Sequence, residues 1–421
     1  MADSARRPLR WLVIAEMYPP QVEGIALSTW KFCRALADRG IELTVVTAQP
    51  KSDAPPWWAD SRIRELRLPQ LPPRLPRRLA GNLGRLYLGT YWGSWWGAVA
   101  SRTADRLLQG GGFHKLVTRT EPASGIVVGR RLARRHGIDW IAAINDPHPA
   151  CLYPPPYGPG RPSTWRERLQ CRWVARALES SAAVVVPSRR LERLERNQGV
   201  FTAGLQAFVI PHCGLVIDAG AQAAATHAAR SERAELLHVG MISSRNRGIQ
   251  TLLDTIQELQ RQDRELSRRF VVRLIGSVDD TTRQRVAQHG LQGSFVFDHQ
   301  RPPRECAVAM QSTDALRLIE APLEEGIFLP GKFSDYLCSR RPTLMFSPVN
   351  GTIADLVGGL RHPGFLTQDP ATAARRLADF LRRRLSGDAC IDFVLPPCCG
   401  VTPEEHADLW LEACASRAGG A

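Results

Sequence analysis

Residues 11–47 read WLVIAEMYPPQVEGIALSTWKFCRALADRGIELTVVT, and the fold is decided there. Trp11–Ala15 is an unbroken apolar run, as expected of a strand covered on both faces. Pro19, Pro20 and Gly24 make the next stretch a loop. From Ile25 the apolar residues fall at Leu27, Trp30, Leu36 and Ala37, a helical spacing, and Gly40 stands where a helix C-cap belongs. Ile41–Thr47 is a second strand. Strand, helix and strand in this order form a βαβ unit, so the sheet is parallel.

The same rhythm spreads outward. Strands are predicted at 115–118, 140–144, 183–186 and 208–210, with helices over 125–135, 166–179 and after Pro187-Ser188. The proline-rich stretch 49–76 predicts irregular structure. A helix should follow, up to Leu108, with Tyr91 and Trp95, or Trp92 and Trp96, stacked at i,i+4. Those aromatics either pack inside the protein or, beside arginine, face a membrane. Residues 211–234 are Gly/Ala-rich and predict a hinge. The pattern then restarts: strand 236–239 ending in Gly240, a helix carrying Ile249, Leu252, Leu253, Ile256 and Leu259, and strands at 270–275, 295–297, 315–319 and 343–347. Thr402, Pro403 and Glu405 form a capping-box signature for a closing helix over 402–417. The expectation is an α/β protein of two Rossmann-like domains, 1–210 and 235–401. The closing helix returns to the first domain, and a ligand crevice lies at the carboxyl ends of the strands.

A chain of 421 residues with 44% hydrophobic and 23% charged residues has material for two packed cores. Its net charge is +14, and only Lys31, Lys51, Lys115 and Lys332 are lysines. The arginine excess reflects either a GC-rich gene or an anionic partner: a nucleotide, a phosphate-bearing acceptor or an acidic membrane surface. Nucleic acid is the weaker reading, since no nucleic-acid-binding motif accompanies the arginines. The ten cysteines lack zinc spacing and read as reduced, mostly buried thiols. The first apolar run is too short for a signal peptide, and no segment approaches a membrane span. A cytoplasmic protein is expected, with peripheral contact at the inner face of an anionic membrane as an option.

The most informative chemistry lies in Phe328-Leu329-Pro330-Gly331-Lys332-Phe333-Ser334-Asp335-Tyr336-Leu337. A proline opening a helix leaves the first backbone N–H groups pointing outward, where the helix dipole favours phosphate. Lys332 adds a full charge in that turn, and Asp335, three residues on, offers an acceptor for ribose hydroxyls. On spacing alone the two could equally form a surface ion pair.

The segment from Pro330 to Pro342 resembles the donor-site helix of glycosyltransferases of the family-4 type, P-G-K-x-x-E-Y-L-A-x-G-x-P, with Asp335 in place of the glutamate. The loop Tyr18–Gly24 is similar to that family's Y-P-P-x-x-G-G, with Glu23 in place of the first glycine, and 36–47 resembles its L-A-x-R-G-H-E-V-x-V-x-T. Leu237-His238-Val239-Gly240 resembles its strand-glycine turn; Met241 stands where arginine is usual, and Arg247-Gly248 where K-G is usual. Asp146-Pro147, Val186-Pro187-Ser188 and Val209-Ile210-Pro211-His212 match its turns at strand ends.

The resemblance implies a GT-B fold, with the two domains facing each other across an interdomain cleft, and retaining transfer from a UDP-, GDP- or similar nucleotide sugar. No cofactor and no metal are expected. It implies Arg247 and Lys332 on the diphosphate, Gly24 and Gly240 where backbone approaches the donor, Asp335 on the ribose and Glu325 on the donor sugar, with Glu320 and Glu324 as alternatives. Asp146 and His148 are placed toward a glycan or lipid-linked acceptor. A nucleotide-sugar epimerase or isomerase on the same fold, and a non-catalytic nucleotide-sugar-binding homologue, are the alternatives.

Overall fold

The computed structural model describes residues 8–21, 23–50, 57–72, 75–119, 124–216, 232–242, 249–398 and 400–415. The chain forms two compact units, Met1–Pro211 with Pro403–Ala421, and His212–Thr402.

The first unit is built on a seven-stranded sheet in the order β3-β2-β1-β4-β5-β6-β7. Its strands are β1 (Arg10–Ile14), β2 (Glu42–Ala48), β3 (Ile63–Leu68), β4 (Lys115–Arg119), β5 (Trp140–Ala143), β6 (Ala183–Val186) and β7 (Ala207–Val209). Every pairing is parallel, and β1 sets Ile14 opposite both Val46 and Thr118. The central strands are buried on both faces, which is why they read as apolar runs. Helices α1 (Gly24–Asp38), α2 (Arg77–Leu88), α3 (Trp95–Gln109), α4 (Ser124–His136), α5 (Trp165–Leu178) and α6 (Arg189–Asn197) accompany it.

Two expectations change here. The stretch 49–76 contains β3, an edge strand whose Arg64, Glu65 and Arg67 hide it from a search for apolar runs. The helix expected up to Leu108 is two helices, because α2 ends at Gly89 in the left-handed conformation. Tyr91 and Trp92 fall in the connection and pack edge-on against each other at 4.9 Å.

The second unit carries β8 (Ala234–Val239), β9 (Phe270–Ile275), β10 (Phe295–Asp298), β11 (Ala315–Ile319) and β12 (Thr343–Phe346), parallel in the order β10-β9-β8-β11-β12. Its helices are α7 (Gln250–Gln262), α8 (Asp280–Gln288), α9 (Pro303–Ser312), α10 (Gly331–Ser339), α11 (Thr352–Val357) and α12 (Pro370–Leu385). One core fills the side of the sheet bounded by α7 and α12, with Leu253, Ile256, Leu377 and Phe380 fully buried. A second, around Phe333, Tyr336 and Met345, lies under α10.

The start of the expected hinge belongs to the second unit. Gly214 N–H donates to the Val401 carbonyl at 2.7 Å and Leu215 N–H to Asp335 Oδ1 at 2.9 Å. Residues 217–231 lie outside the described residues. The last helix, α13 (Pro403–Ala415), packs on α1. Trp410 meets Phe32 at 4.6 Å, Arg39 pairs with Asp408 at 2.6 Å, and Lys115 Nζ donates to the Cys414 carbonyl at 2.9 Å.

Candidate functional site

The order of the second sheet reverses at β8: the chain builds outward through β9 and β10, then returns to the other side of β8 for β11 and β12. In open parallel sheets the ligand position lies outside the carboxyl ends of the strands at such a reversal. There β8 turns at Gly240, φ +115°, and β9 at Gly276, φ +143°. A Cβ on Gly276 would lie 2.5 Å from the Gly240 carbonyl oxygen, so only glycine lets the two strand ends pack backbone to backbone. A Cβ on Gly240 would sit 3.1 Å from Lys332 Nζ, so the β8 turn and the start of α10 are neighbours.

Pro330, with φ −61° and ψ 129°, is the N-cap of α10 and offers no side-chain cap. Lys332 is fixed from below. Its Nζ donates to His238 Nε2 at 2.9 Å, while His238 Nδ1 lies 2.9 Å from the Arg317 carbonyl oxygen. A carbonyl only accepts, so Nδ1 carries the proton and Nε2 presents its lone pair to the ammonium. The imidazole is therefore neutral and aimed, and fully buried. Tyr336 Oη accepts from Val239 N–H at 3.1 Å and donates to the same Arg317 carbonyl at 3.3 Å, locking α10 to β8 and β11. Asp335 lies one turn further on, where its Oδ1 accepts the Leu215 N–H.

The three acids after β11 have different surroundings. Glu320 is buried, and its Oε2 accepts from Ser347 Oγ at 2.6 Å. Glu324 and Glu325 are exposed. Gly326 bridges them to the rest of the sheet: its N–H donates to the Asn350 carbonyl at 2.9 Å, and its carbonyl accepts from Thr352 N–H at 2.7 Å. A Cβ on Gly326 would lie 2.8 Å from Glu320 Oε1. The buried carboxyl thus sits beneath the loop that carries the exposed ones.

In the first unit the sheet reverses at β1 and β4. Gly24 opens α1, with Glu23 extended before it as N-cap, and a Cβ on Gly24 would meet nothing within 4 Å. Arg67 of β3 donates to the Pro19 carbonyl at 2.9 Å and braces the same loop. Beside it, Ser124 Oγ donates to Glu16 Oε2 at 2.9 Å, and burial holds the Glu16 carboxyl above its usual range.

Asp146 is half-buried after β5. His148 is buried rather than an exposed loop residue, and burial pushes its imidazole down to about 4. Its backbone N–H donates to Glu195 Oε1 of α6 at 2.7 Å. Glu195 is fully buried, and loss of solvent, only partly offset by that N–H, pushes its carboxyl up to about 8.

Residues 23–211 match the family model described as Glycosyl transferase 4-like domain. This stretch is similar to that domain. The whole chain shares its fold with solved structures at low identity. A sucrose-phosphate synthase (tll1590) from Thermosynechococcus elongatus superposes with a TM-score of 0.60 at 15% identity, covering 97% of each chain. WaaG, a glycosyltransferase involved in lipopolysaccharide biosynthesis, gives 0.61 at 12% identity over 97% of this chain and 100% of that one. Anabaena Alr3699/HepE, solved in complex with UDP-glucose, gives 0.56 at 13% identity over 97% and 99%. No curated protein sequence matches the chain significantly. The fold is GT-B.

Gly24, Asp146, His148 and Glu195 lie in the stretch that matches the family model, while Gly240, Lys332, Asp335 and Glu325 lie in the second unit, beyond it. The structure brings Gly240 and Lys332 into contact and sets Asp335 on the same helix. Arg247 and Gly248 lie outside the described residues. His238 and Ser347 escape sequence reasoning because each is a single polar residue at the end of a buried strand. For His238 the available signal was a charge-capable side chain in an otherwise apolar LLHVG run. Glu195 escapes it because α6, RRLERLERN, reads as a solvated charged helix. Among the described residues no group of three or more His, Cys, Asp or Glu is placed to hold a metal ion, and no helix is long and apolar enough to cross a membrane.

Proposed function

We propose that the chain is a glycosyltransferase that moves a sugar from a nucleotide-sugar donor to a glycan, glycolipid or other small acceptor. We infer retention of anomeric configuration and no need for a metal. The setting we favour is cell-surface polysaccharide synthesis, in the cytoplasm or at the inner face of an anionic membrane. The observation that carries the reading is the Lys332–His238 pair at the opening of α10, against the Gly240 turn.

The chemistry follows from charge. As the bond from the anomeric carbon to the diphosphate breaks, negative charge collects on the phosphate oxygens, and a fixed ammonium beside the positive end of a helix stabilises it. Lys332 supplies that ammonium, and Arg247 is assigned a second clamp through its bidentate fork. Asp335 takes the ribose, sharing its carboxylate with the Leu215 N–H. Glu325 faces the donor sugar, and Glu320 is a positioning residue beneath its loop. Asp146 and His148 orient the acceptor hydroxyl, with the imidazole neutral at physiological pH. The UDP-glucose bound by Alr3699/HepE supports a UDP-sugar as the first donor to try.

The test is release of nucleoside diphosphate from a panel of UDP- and GDP-sugars, with and without a cell-envelope glycolipid fraction, in the presence of EDTA. Acceptor-dependent release that survives EDTA is expected. Conversion of the donor to an isomer without acceptor points instead to an epimerase, and donor binding with no turnover to a non-catalytic homologue.

A further inference from the structure

Helix α2 has one face that the fold holds outward. Ala80, Gly84 and Leu88 are buried against the α2–α3 connection and α3. A Cβ on Gly84 would lie 2.4 Å from the Ser94 carbonyl carbon and oxygen, so the helix is seated backbone to backbone and its rotation is set. That rotation directs Leu79, Leu83 and Leu86, at i, i+4 and i+7, to solvent, with exposures of 46%, 40% and 80%. Tyr91, 63% exposed, follows in the connection.

The apolar stripe is bordered by cations. Arg78 and Arg85 are exposed along one side. On the other, Arg102 and Arg131 lie over the Tyr87 ring, at 5.0 Å and 4.9 Å from its centre. Between Glu65 and Asp105 the sequence holds six arginines and no acidic residue. A second copy of the same surface would set arginine against arginine. A bilayer surface rich in anionic lipid matches both features: leucines enter the acyl boundary while guanidiniums meet headgroup phosphates.

We propose that α2 is the docking face for an anionic membrane, lying in the membrane plane along its length of about 18 Å. It deepens the membrane placement proposed above and rests on it.

The test is sedimentation of the full chain with vesicles of phosphatidylcholine alone, or of phosphatidylcholine and phosphatidylglycerol in equal parts, at low and high salt. The chain should sediment with the phosphatidylglycerol vesicles, less so at high salt, and remain in solution with phosphatidylcholine. Leu83→Glu/Leu86→Glu and Arg78→Glu/Arg85→Glu should each lower binding by about tenfold or more, with unchanged melting and donor response. The arginine pair decides the matter if the leucine pair folds poorly. Wild-type binding that both variants retain would leave membrane contact standing and overturn this surface. No wild-type binding overturns both. A dimer in solution that the leucine variant dissociates would assign the face to a second copy instead.

Discussion

Lys332 Nζ rests 2.9 Å from Nε2 of His238, a residue 94 positions earlier in the chain whose other nitrogen is held by the Arg317 carbonyl. The ammonium is thereby placed before any ligand arrives, and pre-placed charge is what electrostatic stabilisation of a departing diphosphate requires.

His238 should therefore matter to donor binding without touching the donor. His238→Phe, which removes the acceptor for the ammonium, should weaken donor affinity by about tenfold, the loss of roughly one good hydrogen bond to a charged group. His238→Gln, with a carbonyl for Lys332 and an amide for the Arg317 carbonyl, should recover most of it. Titration calorimetry checks both, and equal affinities in Phe and Gln variants would remove His238 from the account.

The buried and exposed acids should separate by phenotype. Glu325→Ala should leave melting unchanged and reduce turnover by about 100-fold, as for loss of a transition-state contact. Ser347→Ala, which removes one hydrogen-bond donor from the buried Glu320 carboxyl, should cost about 1–3 kcal/mol of stability before any effect on rate. Melting curves and kcat measured on the same preparations decide, and a Glu325→Ala protein with full turnover shifts the sugar contact to another acid.

Glu195 and His148 give a pH signature. A carboxyl raised to about 8 in the folded state favours folding fully below its unfolded value, and that contribution is lost as pH rises toward 8. A histidine lowered to about 4 works in the opposite sense, and its contribution is lost as pH falls below about 6.5. The two slopes oppose each other at intermediate acidity, so the net decline should fall between about pH 6.5 and 8. Glu195→Gln keeps the acceptor for His148 N–H and should flatten that decline. Melting temperatures at pH 6 and pH 9 test it; an unchanged difference in the variant contradicts the assignment.

Arg317 is fully buried on β11, and none of its guanidinium nitrogens finds a hydrogen-bond partner. Burial pushes it down to about 9, which leaves it charged at neutral pH. Arg317→Met should stabilise the protein by roughly 1–4 kcal/mol, since an apolar chain of similar length replaces an uncompensated charge. Only the side chain changes, so the carbonyl that holds His238 and Tyr336 remains. A lower melting temperature for this variant would show that the guanidinium is satisfied in solution.

Much of the fold was legible because parallel strands buried on both faces leave unbroken runs such as Trp11–Ala15 and Ala183–Val186. Edge strand β3 was not, because half of its surface is solvated and its residues are charged. The break between α2 and α3 turned on one left-handed glycine among aromatics that suggested continuity. At the site, Lys332 and Gly240 could be read from local motifs. The contacts behind the candidate residues could not, because His238 reaches Lys332, Ser347 reaches Glu320 and Glu195 reaches His148 from distant segments, which no local pattern encodes.

The central claim is that Lys332 binds the diphosphate of a nucleotide sugar. Its most direct test is the thermal shift of the wild type and of Lys332→Ala with UDP-glucose and other nucleotide sugars. At 100 times its dissociation constant a true donor should add about 2.7 kcal/mol to the wild type, and the variant should lose nearly all of that gain. An equal shift in both proteins would contradict the claim.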